Sequence, residues 1–359
     1  MLLLSTLVLG SAACRRKPAP APARVPTCEQ RTQEIRRGLK GLEGQDGRRV
    51  RQALARARAW LDGMTVDPVE LGRRGLLGKR KLAELLSGYY EFWKSSSANE
   101  RVRLAPRIEE ILRPVRQPAY HDMMTVDRDV FNKESTSYLR IAYMMDRMGL
   151  DISDYRKSIA GLKARLDARL LEGGPQVRKI LEWHYAYFGL AWPSRLGDPR
   201  REFIITIRPD FRGFDRDLIY RFTHEVLALY AYGDALGTDA MSDDELRYAR
   251  KALYWLTRKN VRAGETDLAA ELATCLRLVR ALDLPVYTEA LAHLLEVQAP
   301  SGAWGRYEAV RTRQGEEIER LFQLHTTVVS AQALLLAFHP PWNQDVAARC
   351  PESASAGPL

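Results

Sequence analysis

The sequence is poor in cysteine and lacks the short motifs that identify many enzymes. Its 359 residues include only four cysteines, with no CxxC pair and no paired Cys/His spacing, which argues against a structural zinc module. It also contains no HExxH, GxSxG, Walker loop or dinucleotide fingerprint. These absences disfavour thermolysin-like proteolysis, α/β-hydrolase chemistry and nucleotide use, so no reaction follows from a motif.

The chain carries an excess of positive charge without a nucleic-acid-binding motif. Its formal net charge is +10 at pH 7, and one dense basic stretch lies at Arg48–Arg58. Such a charge favours contact with anionic lipid headgroups, polyanionic glycans or nucleic acid. The other basic residues alternate with Asp and Glu along predicted helices, which is typical of a solvated surface. Because no aromatic stacking platform accompanies the charge, we expect no nucleic-acid partner.

The first residues resemble an export signal. Met1–Ala13 is uncharged and apolar and ends in small residues. Crossing a bilayer takes about 20 residues, so this run fits a signal peptide at 1–13 rather than a membrane span. Cys14 follows, and the arrangement resembles a bacterial lipoprotein signal. The resemblance implies that Cys14 is lipidated and anchors the protein to a bacterial membrane of the cell envelope, the outer membrane in our prediction.

Two further features bear on this prediction. Arg15-Arg16-Lys17 follows Cys14 directly, and basic residues after an apolar run disfavour translocation, so a cytoplasmic protein with an apolar tail is the alternative. Lys17–Pro26 reads KPAPAPARVP, and its alternating prolines keep the backbone extended. We predict a tether at 14–27, a single domain at 28–350 and a disordered tail at 351–359. A disordered N-terminal tail without an anchor remains the alternative.

Three cysteines remain if Cys14 is acylated. Cys28 and Cys350 lie near the two ends of the predicted domain. In an oxidising envelope compartment we predict that they form a disulfide between the first and last hairpins. Cys275 lies inside an apolar helix and is predicted to be a buried thiol.

Six apolar, helix-like runs recur along the chain at repeat-sized intervals. They are Leu82–Trp93, Ser135–Leu150, Val177–Leu190, Leu218–Tyr232, Asp267–Leu284 and Leu321–Phe338. Most of them follow a more polar, charge-striped helix, as a ring of inner helices shielded by outer ones requires. We therefore predict an all-α fold, an (α/α)6 toroid of helical hairpins, as a monomer.

Glycines and one irregular segment support these helix boundaries. Gly149, Gly189 and Gly233 are predicted to end inner helices in the left-handed conformation. Residues 192–213 interrupt the repeat, and we expect an irregular or β-prone insertion there, because Glu202–Ile207 reads EFIITI. Such an insertion is a candidate flap over one face of the ring.

One local motif resembles a known family. Leu294-x3-Gln298-x3-Gly302-x-Trp304 is similar to the glutamine-tryptophan repeat of terpenoid cyclases and, more loosely, to turns of protein prenyltransferases and other α/α-toroid proteins. In such a turn the glutamine hydrogen-bonds backbone groups of an adjoining helix, glycine permits the tight turn and tryptophan packs across it. The resemblance covers about a dozen residues and implies the toroid fold, but it carries no catalytic residue.

Ionisable residues lie near the starts of three late apolar runs. Asp267 and Glu271 are four residues apart and share one helix face, while the neighbouring runs carry His224-Glu225 and His325. Such a cluster suits general acid/base catalysis, or a metal held by His224, His325 and a carboxylate. We therefore predict these five residues as catalytic. Each has a structural alternative as a helix cap, a salt-bridge partner or a packed core residue.

A second candidate region is aromatic. His184 and Tyr187 lie in LEWHYAYFGL and are predicted to line a ligand site for a sugar ring or an isoprenoid-like chain, with plain core packing as the alternative.

Two functions are therefore open. The first is a cell-envelope lipoprotein whose toroid binds an unknown ligand or partner in its central cavity without chemistry. The alternative is a toroid enzyme, acid/base or metal-dependent, that acts on a glycan, peptide or lipid-linked substrate. The sequence identifies no cofactor. The enzyme hypothesis requires that His224, Glu271 and His325 face one cavity.

Overall fold

The computed structural model describes residues 45–65, 78–234, 240–282 and 284–338, and within these residues the chain is all-α, with no β-strand. The predicted signal peptide, tether, disulfide and tail lie outside the described residues, as do Cys14, Cys28 and Cys350. The α-helices are α1 (Gln45–Asp62), α2 (Lys79–Lys94), α3 (Ala98–Leu112), α4 (Arg128–Arg147), α5 (Ser153–Gly161), α6 (Lys163–Glu172), α7 (Pro175–Phe188), α8 (Ile204–Ile207), α9 (Arg216–Leu229), α10 (Asp243–Ala263), α11 (Thr266–Leu278), α12 (Pro285–Val297), α13 (Glu308–Gln314) and α14 (Glu316–Phe338).

Each of the six apolar runs forms a helix, and these six helices contact one another in chain order. Helix α2 packs against α4, α4 against α7, α7 against α9, α9 against α11 and α11 against α14. Helix α14 then packs against α2, so the contacts close a cycle. The predicted toroid agrees with this order of contacts. We call these six the inner helices.

The more polar helices pack against the inner ones. Helices α1, α3, α6, α10 and α12 each contact at least one inner helix. The inner helix α11 is buried from Asp267 to Leu278, as expected of a helix that is covered on all sides. One predicted outer helix, Ile152–Leu171, is in fact two helices, α5 and α6, which are separated at Leu162. Among the described residues, no helix is both long enough and apolar enough to cross a membrane.

Local signals set several helix boundaries. The side chain of Asp215 accepts a hydrogen bond from the backbone N–H of Leu218 and begins α9, and Ser242 with Glu245 forms a capping box at the start of α10. The three glycines predicted to end inner helices all have positive φ, from 69° at Gly189 to 96° at Gly233. Gly189 follows α7 directly and Gly149 lies two residues after α4, so these two predicted helix ends are confirmed. Helix α9 ends at Leu229, and Gly233 instead closes the 3-10 turn Ala231–Gly233 that follows it.

The insertion at 192–213 is irregular as expected, but its EFIITI segment is not a strand. Pro199–Glu202 is a 3-10 turn and Ile204–Ile207 is a single turn of α-helix, α8. Phe203, Ile204 and Ile205 are all buried, whereas alternate residues of a strand would face opposite sides. Because no strand lies beside this segment within the described residues, helical hydrogen bonds satisfy its backbone instead.

The glutamine-tryptophan motif makes the hydrogen bonds that its residue types predict. The Gln298 amide donates hydrogen bonds to the carbonyl oxygens of Ala53 and Gly302, each at 2.9 Å. Trp304 is fully buried and donates from Nε1 to the carbonyl of Leu294 at 2.6 Å. The motif therefore fastens the end of α12 to α1, which lies more than 240 residues earlier in the chain.

Candidate metal centre

Four inner helices bring a cluster of histidine and carboxylate side chains together. Helix α14 packs between α2 and α11, and α11 also contacts α9. These contacts place Glu84 of α2, His224 of α9, Asp267 and Glu271 of α11, and His325 of α14 in one region. We call these five residues the central cluster.

His325 lies at the middle of the central cluster. Its Nδ1 is 3.3 Å from Oε2 of Glu84, and its Nε2 is 3.5 Å from Oδ1 of Asp267 and 3.6 Å from Oε1 of Glu271. The Nε2 atom of His224 lies 3.4 Å from the same Glu271 oxygen. Both ring nitrogens of His325 therefore face carboxylates, and Glu271 lies between the two histidines.

The outward-facing atoms of the carboxylates are held by other side chains. The hydroxyl of Tyr220 donates to Oδ2 of Asp267, and Oγ1 of Thr223 donates to Oε2 of Glu271 at 2.5 Å. Nη1 of Arg140 lies 3.4 Å from Oε1 of Glu84. Each carboxylate thus has one oxygen fixed by a neighbour and the other directed at a histidine.

One oxygen of the cluster has no hydrogen-bond donor. Oδ1 of Asp267 is buried and accepts no hydrogen bond, although it lies close to Nε2 of His325. A buried carboxylate oxygen without a partner is unfavourable, because burial removes its hydration. A proton on Asp267, the neighbouring imidazole of His325 or a bound cation can compensate this oxygen.

Charge interactions dominate the electrostatics of the cluster. Partial burial lowers the pKa of His325, but the adjacent carboxylates of Glu84, Glu271 and Asp267 outweigh it and hold that pKa well above its ordinary value. Burial raises the pKa of Glu271, yet His224 and His325 outweigh this effect and bring the pKa below its usual range. For Asp267, burial prevails and its pKa is raised. Without a metal, His325 is therefore a cation among carboxylates.

Four residues of the central cluster, Glu84, His224, Asp267 and His325, line a cavity of about 660 Å³, which is the size of a small-molecule site. Glu271 is buried and is not among the lining residues, so His224 and His325 meet the requirement of facing one cavity and Glu271 does not. The cavity also has basic, aromatic and aliphatic walls. Its lining residues are Arg80, Lys81, Glu84, Arg216, Tyr220, His224, Asp267, Tyr307, Val310, Leu321, Phe322, Leu324 and His325.

Three residues of the cluster have the geometry of metal ligands. One donor atom from each of Asp267, Glu271 and His325 lies within 4.8 Å of the others. Metal bonds of 2.0–2.2 Å in a tetrahedral site separate neighbouring donors by about 3.3–3.6 Å, which matches the distances from Nε2 of His325 to the two carboxylates. Glu84 on the other ring nitrogen completes the carboxylate–histidine pairing found behind metal-bound histidines. The residues fit a divalent metal ion.

The structure brings four of the five predicted catalytic residues together, but not Glu225. Its carboxylate accepts hydrogen bonds from Arg221 and from the backbone N–H of Ile205, and so it holds the insertion against α9. Burial, only partly offset by Arg221, raises the pKa of Glu225 to about 7. Glu225 does not line the cavity.

The two residues of the predicted aromatic site, His184 and Tyr187, lie outside the cavity lining. His184 is buried, and its Nδ1 lies 2.7 Å from the carbonyl oxygen of Ile180. Burial lowers the pKa of His184 to about 4, so the ring is neutral. Tyr187 donates its hydroxyl to Asp146. Neither residue lines the cavity described above. Cys275 is a buried free thiol, as predicted.

Sequence reasoning missed Glu84 and the residues that hold the carboxylates in place. Glu84 is an acidic residue in the apolar stretch LAELL, which is the same signal that singled out Glu271. Arg140, Tyr220 and Thr223 gave no comparable signal, because an arginine, tyrosine or threonine on a helix usually faces solvent or core.

These observations define the class of protein: an all-α fold in which a cluster of histidines and carboxylates lies at the wall of a cavity. A family model described as Domain of unknown function (DUF6895) matches residues 82–335, and the chain belongs to this family. The matched region contains the whole central cluster, from Glu84 to His325. No curated protein and no solved structure matches the chain significantly.

Proposed function

We propose that this protein is a metal-dependent hydrolytic enzyme, in which Asp267, Glu271 and His325 bind one divalent metal ion at the wall of the cavity. The observation that carries the proposal is the convergence of these three donor atoms within 4.8 Å, with one of them, Oδ1 of Asp267, buried and without a hydrogen bond. A structural salt-bridge cluster accounts for the charges, but it gives that oxygen only an ion-pair contact with Nε2 of His325 at 3.5 Å and no hydrogen bond.

The chemistry follows from the position of the site. A divalent metal held by Asp267, Glu271 and His325 would supply Lewis-acid chemistry and would lower the pKa of a coordinated water. His224 lines the cavity and its Nε2 lies 3.4 Å from Glu271, so its imidazole would be placed to accept and return a proton at the cavity wall. Tyr220 and Thr223 keep the two carboxylate ligands oriented.

Metal analysis of the purified full-length chain tests this proposal. We expect about one equivalent of a transition metal in the wild type, and a loss of most of it in Asp267→Asn and His325→Gln, because two ligands remain in each. Glu225→Gln is the matched control, since it removes a buried carboxylate outside the cluster and is expected to keep the metal. Circular dichroism verifies that each variant is folded.

The outcome also decides between two roles of His224. In His224→Ala, retained metal supports a proton-transfer role, whereas metal loss makes His224 a fourth ligand. If the wild type holds no metal after incubation with zinc, manganese, cobalt and iron salts, the metal-dependent proposal is wrong. The central cluster would then be a salt-bridge network in a ligand-binding protein.

We also propose that the protein is a lipoprotein of the cell envelope whose domain has the α/α-toroid fold. Support for the anchor comes from the apolar Met1–Ala13, from Cys14 and from the proline-rich tether. Support for the toroid comes from the closed order of inner-helix contacts. Labelling cells with a radioactive fatty acid is expected to mark the wild type and not Cys14→Ser, and equal labelling of both would contradict the anchor.

A further inference from the structure

Three cationic side chains line the same cavity as the proposed metal centre. Arg80, Lys81 and Arg216 all line the cavity that contains Asp267 and His325. With a divalent metal bound, these cations and the metal together outweigh the three carboxylates of the central cluster. A cavity with this balance attracts anions.

Arg216 is held in a fixed position at the cavity wall. Its Nη1 lies 2.8 Å from Glu265, and its Nη2 lies 3.2 Å from the hydroxyl of Tyr220 and 4.0 Å from Oδ2 of Asp267. Its side chain is nevertheless 50% exposed. The guanidinium is therefore ordered by the same tyrosine that orients a metal ligand, and it keeps a surface open to a ligand.

Arg80 is the less engaged of the two arginines. It is exposed and lines the cavity, and its guanidinium has no hydrogen-bond or ion-pair partner among the residues that the structure describes. Arg80 and Glu84 lie four residues apart on α2 and line the same cavity. Arg80 therefore presents an exposed guanidinium at the cavity that the central cluster lines.

The ends of the inner helices add to the positive potential. Arg80 lies in the first turn of α2, Arg216 is the first residue of α9, and Asp267 lies in the first turn of α11. The N-terminus of a helix carries a partial positive charge, equivalent to about half an elementary charge. Three such ends at one cavity favour an anionic ligand, in addition to the arginine side chains.

The remaining wall is apolar. Tyr307 packs against Phe322 with ring centroids 5.3 Å apart, and Val310 and Leu321 lie beside them. The Phe322 ring is 37% exposed, although large apolar side chains are usually buried. This wall suits a ring or a short apolar portion of a ligand.

We propose that the substrate of the metal centre carries an anionic group, a carboxylate or a phosphate, which is bound by the guanidinium groups of Arg80 and Arg216 while its ring or apolar portion packs on Tyr307 and Phe322. The proposal rests on the proposed metal-dependent function. It adds the chemical class of the substrate, since both anions accept paired hydrogen bonds from a guanidinium.

Calorimetric titration of the cobalt-loaded full-length chain tests this proposal with three probes. Inorganic phosphate represents the phosphate class, glucuronate represents a carboxylate on a sugar ring, and glucose is the neutral match of glucuronate. We expect phosphate or glucuronate to bind, glucose not to bind, and the dissociation constant of the bound anion to rise at least about tenfold in Arg80→Gln. Arg103→Gln removes an exposed arginine that does not line the cavity and is expected to bind like the wild type.

Arg80 is the residue to vary because Arg216 contacts Asp267, and its loss would disturb the metal site itself. Equal anion affinity in Arg80→Gln and the wild type, or no binding of either anion to the wild type, overturns the proposal. Failure of cobalt to bind overturns the metal-dependent function instead. In that case the same titrations are made on the metal-free chain, where weaker anion binding in Arg80→Gln still supports the arginine site and equal binding contradicts it.

Discussion

Oε2 of Glu84 lies 3.3 Å from Nδ1 of His325, although 241 residues separate them in the chain. The contact joins the first inner helix to the last, α2 to α14. It fixes the orientation of the imidazole, because Glu84 is itself held by Arg140. The opposite ring nitrogen, Nε2, is thereby directed at Asp267 and Glu271.

Glu84→Gln is expected to weaken metal binding without removing a ligand. The amide no longer supplies a negative charge to the Nδ1–H of His325, so the imidazole becomes a poorer and less oriented donor. Loss of such an outer partner typically lowers metal affinity by about 10- to 100-fold. Competition with a chromophoric chelator measures the dissociation constant.

Glu109→Gln is the control for this measurement, because Glu109 is a surface residue of α3 that pairs only with Arg116 among the described residues. Its metal affinity is expected to equal that of the wild type. Unchanged affinity in Glu84→Gln would show that Glu84 does not orient the metal-binding histidine.

Gly302→Ala is expected to destabilise the fold strongly. Gly302 has a φ of 96°, and an added Cβ would overlap the backbone carbonyl of Arg56 in α1. Strain and overlap together are expected to lower the free energy of unfolding by about 3 kcal/mol or more. Urea denaturation followed by circular dichroism measures the difference.

The matched control is Gly149→Ala. Gly149 also has a positive φ, of 80°, but nothing lies within 4 Å of its added Cβ. Only the backbone strain remains, so a loss of about 1 kcal/mol is expected. Equal losses in the two variants would mean that the close approach of the turn to α1 contributes nothing to stability.

Glu225→Gln is expected to change how stability depends on pH. Burial raises the pKa of Glu225 to about 7 from an ordinary value of 4.5, so the folded state holds its proton up to a higher pH than the unfolded state does. Folding therefore binds a proton between these values, and the contribution of Glu225 to stability falls as the pH rises through this window. The fall amounts to at most about 3 kcal/mol and ends above pH 7.

The amide of Glu225→Gln cannot ionise but still offers an oxygen to the backbone N–H of Ile205. We therefore expect the free energy of unfolding of Glu225→Gln, minus that of the wild type, to be larger at pH 8 than at pH 5. Urea denaturation at both pH values measures it. In Glu245→Gln the difference from the wild type is expected to stay constant, because Arg200, Ser242 and Thr206 outweigh burial and lower the pKa of Glu245 to about 2. Parallel pH profiles of wild type and Glu225→Gln would contradict the buried, protonated state.

The sequence determined the helices because their signals are local. Apolar residues at helical spacing located all six inner helices, and Gly149 and Gly189 located two of their ends. The structure of the Gln298–Trp304 motif was also predictable from its residues. Its hydrogen bonds, its turn and its buried indole are those that the residue types imply. The β-prone segment EFIITI forms a turn of helix and not a strand. Residue propensity alone cannot show whether a partner strand is present.

The composition of the site was decided only by the tertiary structure. His224 and Glu225 are adjacent in sequence, but successive residues on a helix project about 100° apart, so His224 faces the cavity and Glu225 faces the insertion. Periodicity alone does not say which of the two faces inward. Glu84 joined the central cluster because contacts between α2 and α14 close the cycle of helices, a relationship between distant parts of the chain that local spacing does not encode.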